Sequence, residues 1–168
     1  GGGCLRNFKI VIQYDGARYQ GWQKQGNTEN TLQGRFERLL ERLAGEPVQI
    51  QASGRTDAGV HAHGQVANFH MDTMLKPQEL AERINRYLPE DVAVIDCSEV
   101  GPRFHSRLNA VSKVYRYRVL NSNVPCVFDR KYIWQIPDKL DICAMREAAA
   151  FLEGRHDFAS FTSAKKSK

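Results

Sequence analysis

What the chain lacks narrows the field first. It has no apolar run near the roughly 20 residues needed to span a bilayer, so a transmembrane role is unsupported. Its four cysteines, Cys4, Cys97, Cys126 and Cys143, are too far apart for a C-x-x-C redox or zinc motif, and no signal-like apolar stretch precedes them. They read as reduced thiols in a cytoplasmic protein. There is no internal repeat, no low-complexity tract and no cofactor-binding motif, and Gly and Pro are scattered rather than clustered.

What is present is the composition of a folding chain. In 168 residues, 42% hydrophobic and 26% charged, there is enough apolar surface for one medium domain or two small ones. Lys and Arg exceed Asp and Glu by 24 to 19, a net charge of +5 that suits a polyanionic partner without requiring one.

Periodicity then sets out the elements. Phe8, Ile10, Ile12 and Tyr14 alternate with polar positions, as in a half-buried strand. Leu32, Phe36, Leu39, Leu40 and Leu43 recur at helical spacing and stop at Gly45 and Pro47. Val48 to Ser53 and Gln65 to Met71 read as strands around a turn-rich loop. Pro77 opens a second helix with Leu80, Ile84 and Leu88 inward, Pro89 closes it, and Val92 to Val100 returns as a strand. The order β, α, β, β, α, β predicts an α+β fold: a mainly antiparallel sheet with helices on one face, in the ferredoxin-like manner of many RNA-binding domains.

Beyond Gly101 and Pro102 a second lobe is expected to begin. Its parts are a long extended stretch from Val111 to Leu120 and a helix over about Asp141 to Glu153, with Ile142, Met145, Ala149 and Leu152 inward and Gly154 at its end. The expected lobes are residues 5–103 and 104–168, with a cleft between them. The second has too little sheet to bury its helix, so the chain is expected to be cut short after Lys168, with Lys165, Lys166 and Lys168 in a loop; Gly1 to Gly3 are set aside from the fold.

One loop stands out chemically. Gly54-Arg55-Thr56-Asp57-Ala58-Gly59-Val60-His61-Ala62 sets a carboxylate between glycines that let the backbone turn sharply and a substrate approach closely. Asp57 could act there as nucleophile or base, with Arg55 favouring its charged form or contacting phosphate; it could equally be an Asp that bonds its own turn. His61, His63 and His70 invite a metal reading, but no acidic or thiol cluster accompanies them, and polar loop histidines are the simpler account. Tyr115 and Tyr117 share a strand face with Lys113, opposite Arg116 and Arg118, which suits base stacking and phosphate contact but also an ordinary core strand. Phe104-His105-Ser106-Arg107 lies at the lobe junction as a cleft segment or a hinge.

Taken in order, Tyr14-Asp15-Gly16, Gly21-Trp22-Gln23, Thr31-Leu32-Gln33-Gly34, the Gly54 to Ala62 loop, Phe104 to Arg107, Lys113-Val114-Tyr115-Arg116-Tyr117, Asp157-Phe158 and Ser160-Phe161 make the chain resemble the TruA-like family of tRNA pseudouridine synthases from Phe8 to about Phe161. The resemblance implies that Asp57 is the catalytic acid. It also implies that Tyr115 packs on the target base, that Arg55 takes the space of a flipped uridine or holds its phosphate, and that Thr56, His61, His105 and Arg107 help hold substrate. The implied reaction breaks a uridine's N-glycosidic bond, turns the uracil and joins its C5 to C1′. It consumes nothing and needs no cofactor or metal.

The implied substrate is the tRNA anticodon stem and loop at positions 38 to 40, and the implied assembly is a homodimer. The family's chains continue into a segment carrying a basic partner for the acid, so weak or no activity is expected of these 168 residues alone. Two other readings of the residues stand beside this one: a catalytically silent RNA-binding module, and a metal-dependent hydrolase using His61 and His63.

Overall fold

The computed structural model describes residues 4–163. Gly1 to Gly3 and the lysines Lys165, Lys166 and Lys168 lie outside the described residues. The chain divides into two compact units after Val114.

The first unit runs β1 (Arg6–Tyr14), α1 (Leu32–Ala44), β2 (Ile50–Ala52), β3 (Ala62–Met71), α2 (Pro77–Tyr87) and β4 (Val92–Val100). The strands form one sheet in the order β2-β3-β1-β4, and each pairing is antiparallel. Two split βαβ crossovers produce this order: α1 carries the chain from β1 to β2 across β3, and α2 carries it from β3 to β4 across β1. The expected α+β fold is observed here, element for element.

Local chemistry explains the boundaries. Thr31 caps α1, its Oγ1 accepting from Gly34 N at 3.2 Å, and Gly45 ends it with φ of 75° and its N–H on Glu41 O at 2.8 Å. Pro77 stands at the start of α2, where the Glu79 carboxylate reaches back to Lys76 N at 2.9 Å. The apolar faces of the sheet and both helices meet in one core containing Phe8, Ile10, Phe36, Leu40, Phe69 and Ile84, all fully buried.

Strict alternation along β4 would place Asp96 inside with Val92 and Val94. The register against β1 slips instead: Val11 faces Asp96 while Ile12 faces Val94, leaving Ile95 as the extra residue. The bulge reverses parity, so Cys97 packs against the core.

In the second unit β5 (Val119–Asn121) pairs in parallel with β6 (Trp134–Ile136), and α3 (Ile142–Ala150) follows. Two expectations are corrected here. The long strand foreseen over Val111 to Leu120 is reduced to its last residues, because 111–118 find no ladder partner among the described residues and an unpaired strand leaves its backbone groups to water. The helix foreseen to Glu153 stops earlier: over 148–153 the backbone tightens into i to i+3 bonds, and Gly154 follows with φ of 90°. Ile142, Met145, Ala149 and Leu152, assigned inward by spacing, are all exposed, since a two-stranded ribbon offers too little surface to cover a helix.

Candidate active site loop

The loop between β2 and β3 is held at several points by residues far from it in sequence. Gln65, buried on β3, fastens its entrance: its Oε1 accepts from Ser53 Oγ at 2.8 Å and from Gly54 N at 3.3 Å, and its Nε2 donates to Gly54 O at 2.6 Å. Thr56 is held on both sides, by Tyr14 OH at 2.8 Å from its Oγ1 and by Trp22 N donating to its carbonyl at 3.0 Å. The exit is held by Gly59 N on Tyr19 O at 3.3 Å and by His61, whose Nδ1 lies 3.0 Å from Gly16 N and 3.1 Å from Asp15 Oδ1.

Two glycines permit this packing. Gly21 has φ of 89°, and a Cβ there would stand 2.8 Å from Thr56 O; a Cβ on Gly16 would stand 1.9 Å from Val60 O. Within the loop, Val60 N bonds to Asp57 O at 3.2 Å across a turn whose third residue, Gly59, has φ of 77°, the positive value a type II turn demands.

Asp57 thus sits at the first position of a tight turn with its backbone engaged. Its side chain is exposed, and no hydrogen bond or ion pair to it is found among the described residues. An Asp serving only its turn would spend its carboxylate on nearby backbone N–H groups. This one does not, so a held backbone presents a carboxylate with its hydrogen-bonding capacity unspent. Arg55 is exposed as well and forms no ion pair with Asp57.

The segment from Gly101 to Asn109 lies on the sheet face away from the helices. Asn7 and Asn68, paired through Asn68 Nδ2 and Asn7 Oδ1 at 3.1 Å, hold it: Asn7 Nδ2 donates to Gly101 O and Phe104 O, and Asn68 Oδ1 accepts from Ser106 N at 2.8 Å. Ser106 Oγ donates to Gln51 O at 2.6 Å. His105 Nδ1 accepts from Arg107 N and Leu108 N at 3.2 and 3.3 Å, so Nε2 carries the proton and donates to Gln51 Oε1 at 3.0 Å. His105 is fixed within the unit, whereas Arg107 is exposed.

The structure therefore gathers Arg55, Thr56, Asp57 and His61 on one loop and fixes His105 and Arg107 beside β2, which leads into it. Tyr115 belongs to the second unit and is 67% exposed. Sequence reasoning missed Gln65, Asn7 and Asn68, because a polar residue on a strand gives no local sign that it will bind a distant loop. Lys113, which sequence reading grouped with Tyr115 and Tyr117, stands by the loop instead: a Cβ built on Gly54 would lie 3.9 Å from Lys113 Nζ, so an ammonium lies beside the loop entrance. Among the described residues no three His, Cys, Asp or Glu side chains cluster as metal ligands would, and no helix is long and apolar enough to cross a membrane.

Fold and loop together define the class: an α+β protein that presents one acidic side chain from a held loop at the rim of an antiparallel sheet. Residues 10–109 match the family model described as tRNA pseudouridine synthase. The chain is 47% identical over 164 residues to "tRNA pseudouridine synthase A" of Bacillus sp. strain KSM-64, covering 98% of this chain and 67% of that protein. It is 43% identical to "tRNA pseudouridine synthase A 2" of Bacillus anthracis over the same shares, and 44% identical to "tRNA pseudouridine synthase A 1" of Clostridium tetani over 94% of this chain and 64% of that protein. The chain belongs to the tRNA pseudouridine synthase family.

Proposed function

We propose that the protein isomerises uridine to pseudouridine in tRNA, with Asp57 as its catalytic residue. The observation that carries this is the uncommitted carboxylate of Asp57 on a loop anchored by Gln65, Tyr14, Trp22 and Tyr19. A reaction at a nucleoside needs its acting group on a positioned backbone and open to the substrate; the anchored loop supplies the first and the exposed side chain the second.

The reaction balances without a co-reactant. The N1–C1′ bond breaks, the freed uracil turns, C5 bonds to C1′, and the proton lost from C5 is matched by one gained at N1. The Asp57 carboxylate supplies the nucleophile or base for this exchange. In this reading Arg55, next but one along the chain, occupies the stack vacated by an extruded uridine or holds its phosphate, exposed Arg107 contacts the RNA, and Lys113 adds positive charge beside the loop entrance. Tyr115 stacks under the uracil in this reading.

The substrate region is the anticodon stem and loop, positions 38 to 40, the working assembly a homodimer and the compartment the cytoplasm. The family resemblance supports each of these, and the net charge of +5 supports a tRNA partner.

The test is pseudouridine formation in unmodified tRNA, mapped by carbodiimide treatment and primer extension, by a protein spanning the full length of the relatives this chain matches, wild type beside Asp57→Asn. Anticodon-arm signal from the wild type, lost in Asp57→Asn with tRNA binding retained, is the expected result. Equal signal from both proteins removes Asp57 from the chemistry, and signal from neither, with tRNA still bound, leaves a silent RNA-binding module.

A further inference from the structure

On the helical side of the first unit, opposite the face that carries the 101–109 segment, α1 and α2 are separated by a groove of about 370 Å³ lined by Arg35, Arg38, Leu39, Arg42, Leu43 and Tyr87. Positions 35, 38 and 42 recur at helical spacing, so α1 turns three guanidinium groups toward one side.

Among the described residues none of the three forms an ion pair. Arg38 Nη2 donates to a neutral acceptor, Glu29 O, at 3.1 Å. Arg42 is exposed and forms no ion pair among the described residues, and Arg35 Nε is buried there without a hydrogen-bond partner. Glu37 on the same helix turns to the other side, its Oε2 2.5 Å from Lys24 Nζ and its Oε1 accepting from Ile50 N at 3.2 Å. Glu41, also on α1, pairs with none of the three.

The groove combines these charges with an apolar floor of Leu39 and Leu43 and with the ring of Tyr87, which is 63% exposed. Arginines along one wall and an exposed aromatic on the other suit a nucleic-acid strand, whose phosphates take the charge while sugars and bases lie on apolar and aromatic surface. Length argues the same way: from Arg35 to Arg42 the helix advances about 10 Å, more than one phosphate group spans, so an extended polyanion fits better than a single ion.

We propose that the groove between α1 and α2 is a second RNA-binding surface, holding the sugar–phosphate backbone of the tRNA at a distance from the target uridine, with Arg38 and Arg42 on phosphates and Tyr87 against a sugar or base. This rests on the reading of the protein as a tRNA-modifying enzyme.

The experiment is equilibrium binding of unmodified tRNA across a salt series, for wild type and for Arg38→Gln/Arg42→Gln, with circular dichroism and light scattering on both. Both side chains lie on the helix surface, so the fold is expected to survive. Loss of two phosphate contacts should lower the slope of log K against log salt by about 1.4 to 1.8, and weaken binding roughly 10- to 50-fold near 0.1 M salt. Arg38→Lys/Arg42→Lys, which keeps the charge, should recover most of the loss.

An unchanged slope in the Gln pair overturns the proposal, as does failure of the Lys pair to recover binding or absence of tRNA binding by the wild type. A changed oligomeric state at unchanged slope assigns the groove to a second copy of the chain and overturns it equally. The pseudouridine assay is separate: product from the wild type beside an unchanged slope in the Gln pair leaves the proposed activity standing and removes only the groove.

Discussion

At the scale of single residues, the Asp57 loop shows how little of its structure lies in its own side chains. Thr56 spends its hydroxyl on Tyr14 and its carbonyl on Trp22, and the entrance depends on Gln65. Gly21 is the point where this support has no slack. Its φ of 89° strains any L side chain, and a Cβ at 2.8 Å from Thr56 O must push the loop. Gly21→Ala is expected to cost about 1–3 kcal/mol in urea unfolding and to reduce pseudouridine formation more than tRNA binding. Gly26→Ala is the control: a Cβ there meets nothing within 4 Å, and stability should stay within about 0.5 kcal/mol of wild type.

The loop's glycines and lone acid were legible in sequence as a turn with chemical capacity. Whether Asp57 bonded its own turn was not, because Asn, Asp and Ser in turns either cap the backbone or point away from it, and only the folded geometry selects between the two. The same limit hid Asn7 and Asn68, which on a strand pattern read as ordinary polar positions and in the fold are buried beneath the 101–109 segment.

At the scale of elements, sequence reading worked wherever a segment carried its own stop signals and its own apolar face. Thr31 and Gly45 bracket α1, Pro77 opens α2, and the core positions of β1 are those of the alternating pattern. These caps contribute measurably. Thr31 is buried, so Thr31→Ala removes the Oγ1 acceptor and leaves Gly34 N–H without its partner; a loss of about 1 kcal/mol is expected from denaturant midpoints, with the slope of the transition unchanged.

Pattern reading failed where the partner was the deciding factor. The alternation through Lys113, Tyr115 and Tyr117 is a strand pattern, yet Tyr117 is 89% exposed and the ladder starts only at Val119, because a strand is fixed by the strand beside it. α3 likewise has a helix-forming run and an N-cap, with Asp141 Oδ1 accepting from Ala144 N at 3.0 Å, but no buried residue. Helix formation is local in origin; burial depends on what else is near.

At the scale of the whole molecule, the hydrophobic core lies in the first unit, and two titratable groups tie that unit's stability to alkaline pH. Burial, reinforced by the bond from Tyr19 OH to Asp91 Oδ1, pushes the Tyr19 phenol from its ordinary 10.0 up to about 12. Burial likewise pushes the Cys97 thiol from 9.0 up to about 11, with Asp96 adding to it. Both groups hold their proton more tightly folded than unfolded, so their contribution is intact below pH 9 and is lost as pH rises through 9 to about 12. Urea midpoints should therefore fall between about pH 8 and about pH 11, and Tyr19→Phe in a Cys97→Ala background should flatten that decline.

The sequence by itself determined the βαββαβ order of the first unit, the limits of its long helices, the acid-bearing loop and the family to which the chain belongs, since each is written in residues adjacent or periodic along the chain. Tertiary structure alone decided that the Asp57 carboxylate has no hydrogen bond or ion pair among the described residues, that Gln65, Tyr14 and Trp22 anchor its loop, that the bulge at Ile95 turns Cys97 inward, and that three arginines of α1 face Tyr87 across a groove. The division has one physical cause. Propensity, capping and amphipathic period act over a few residues, whereas a hydrogen bond or groove joining residues tens of positions apart exists only once packing has brought them together.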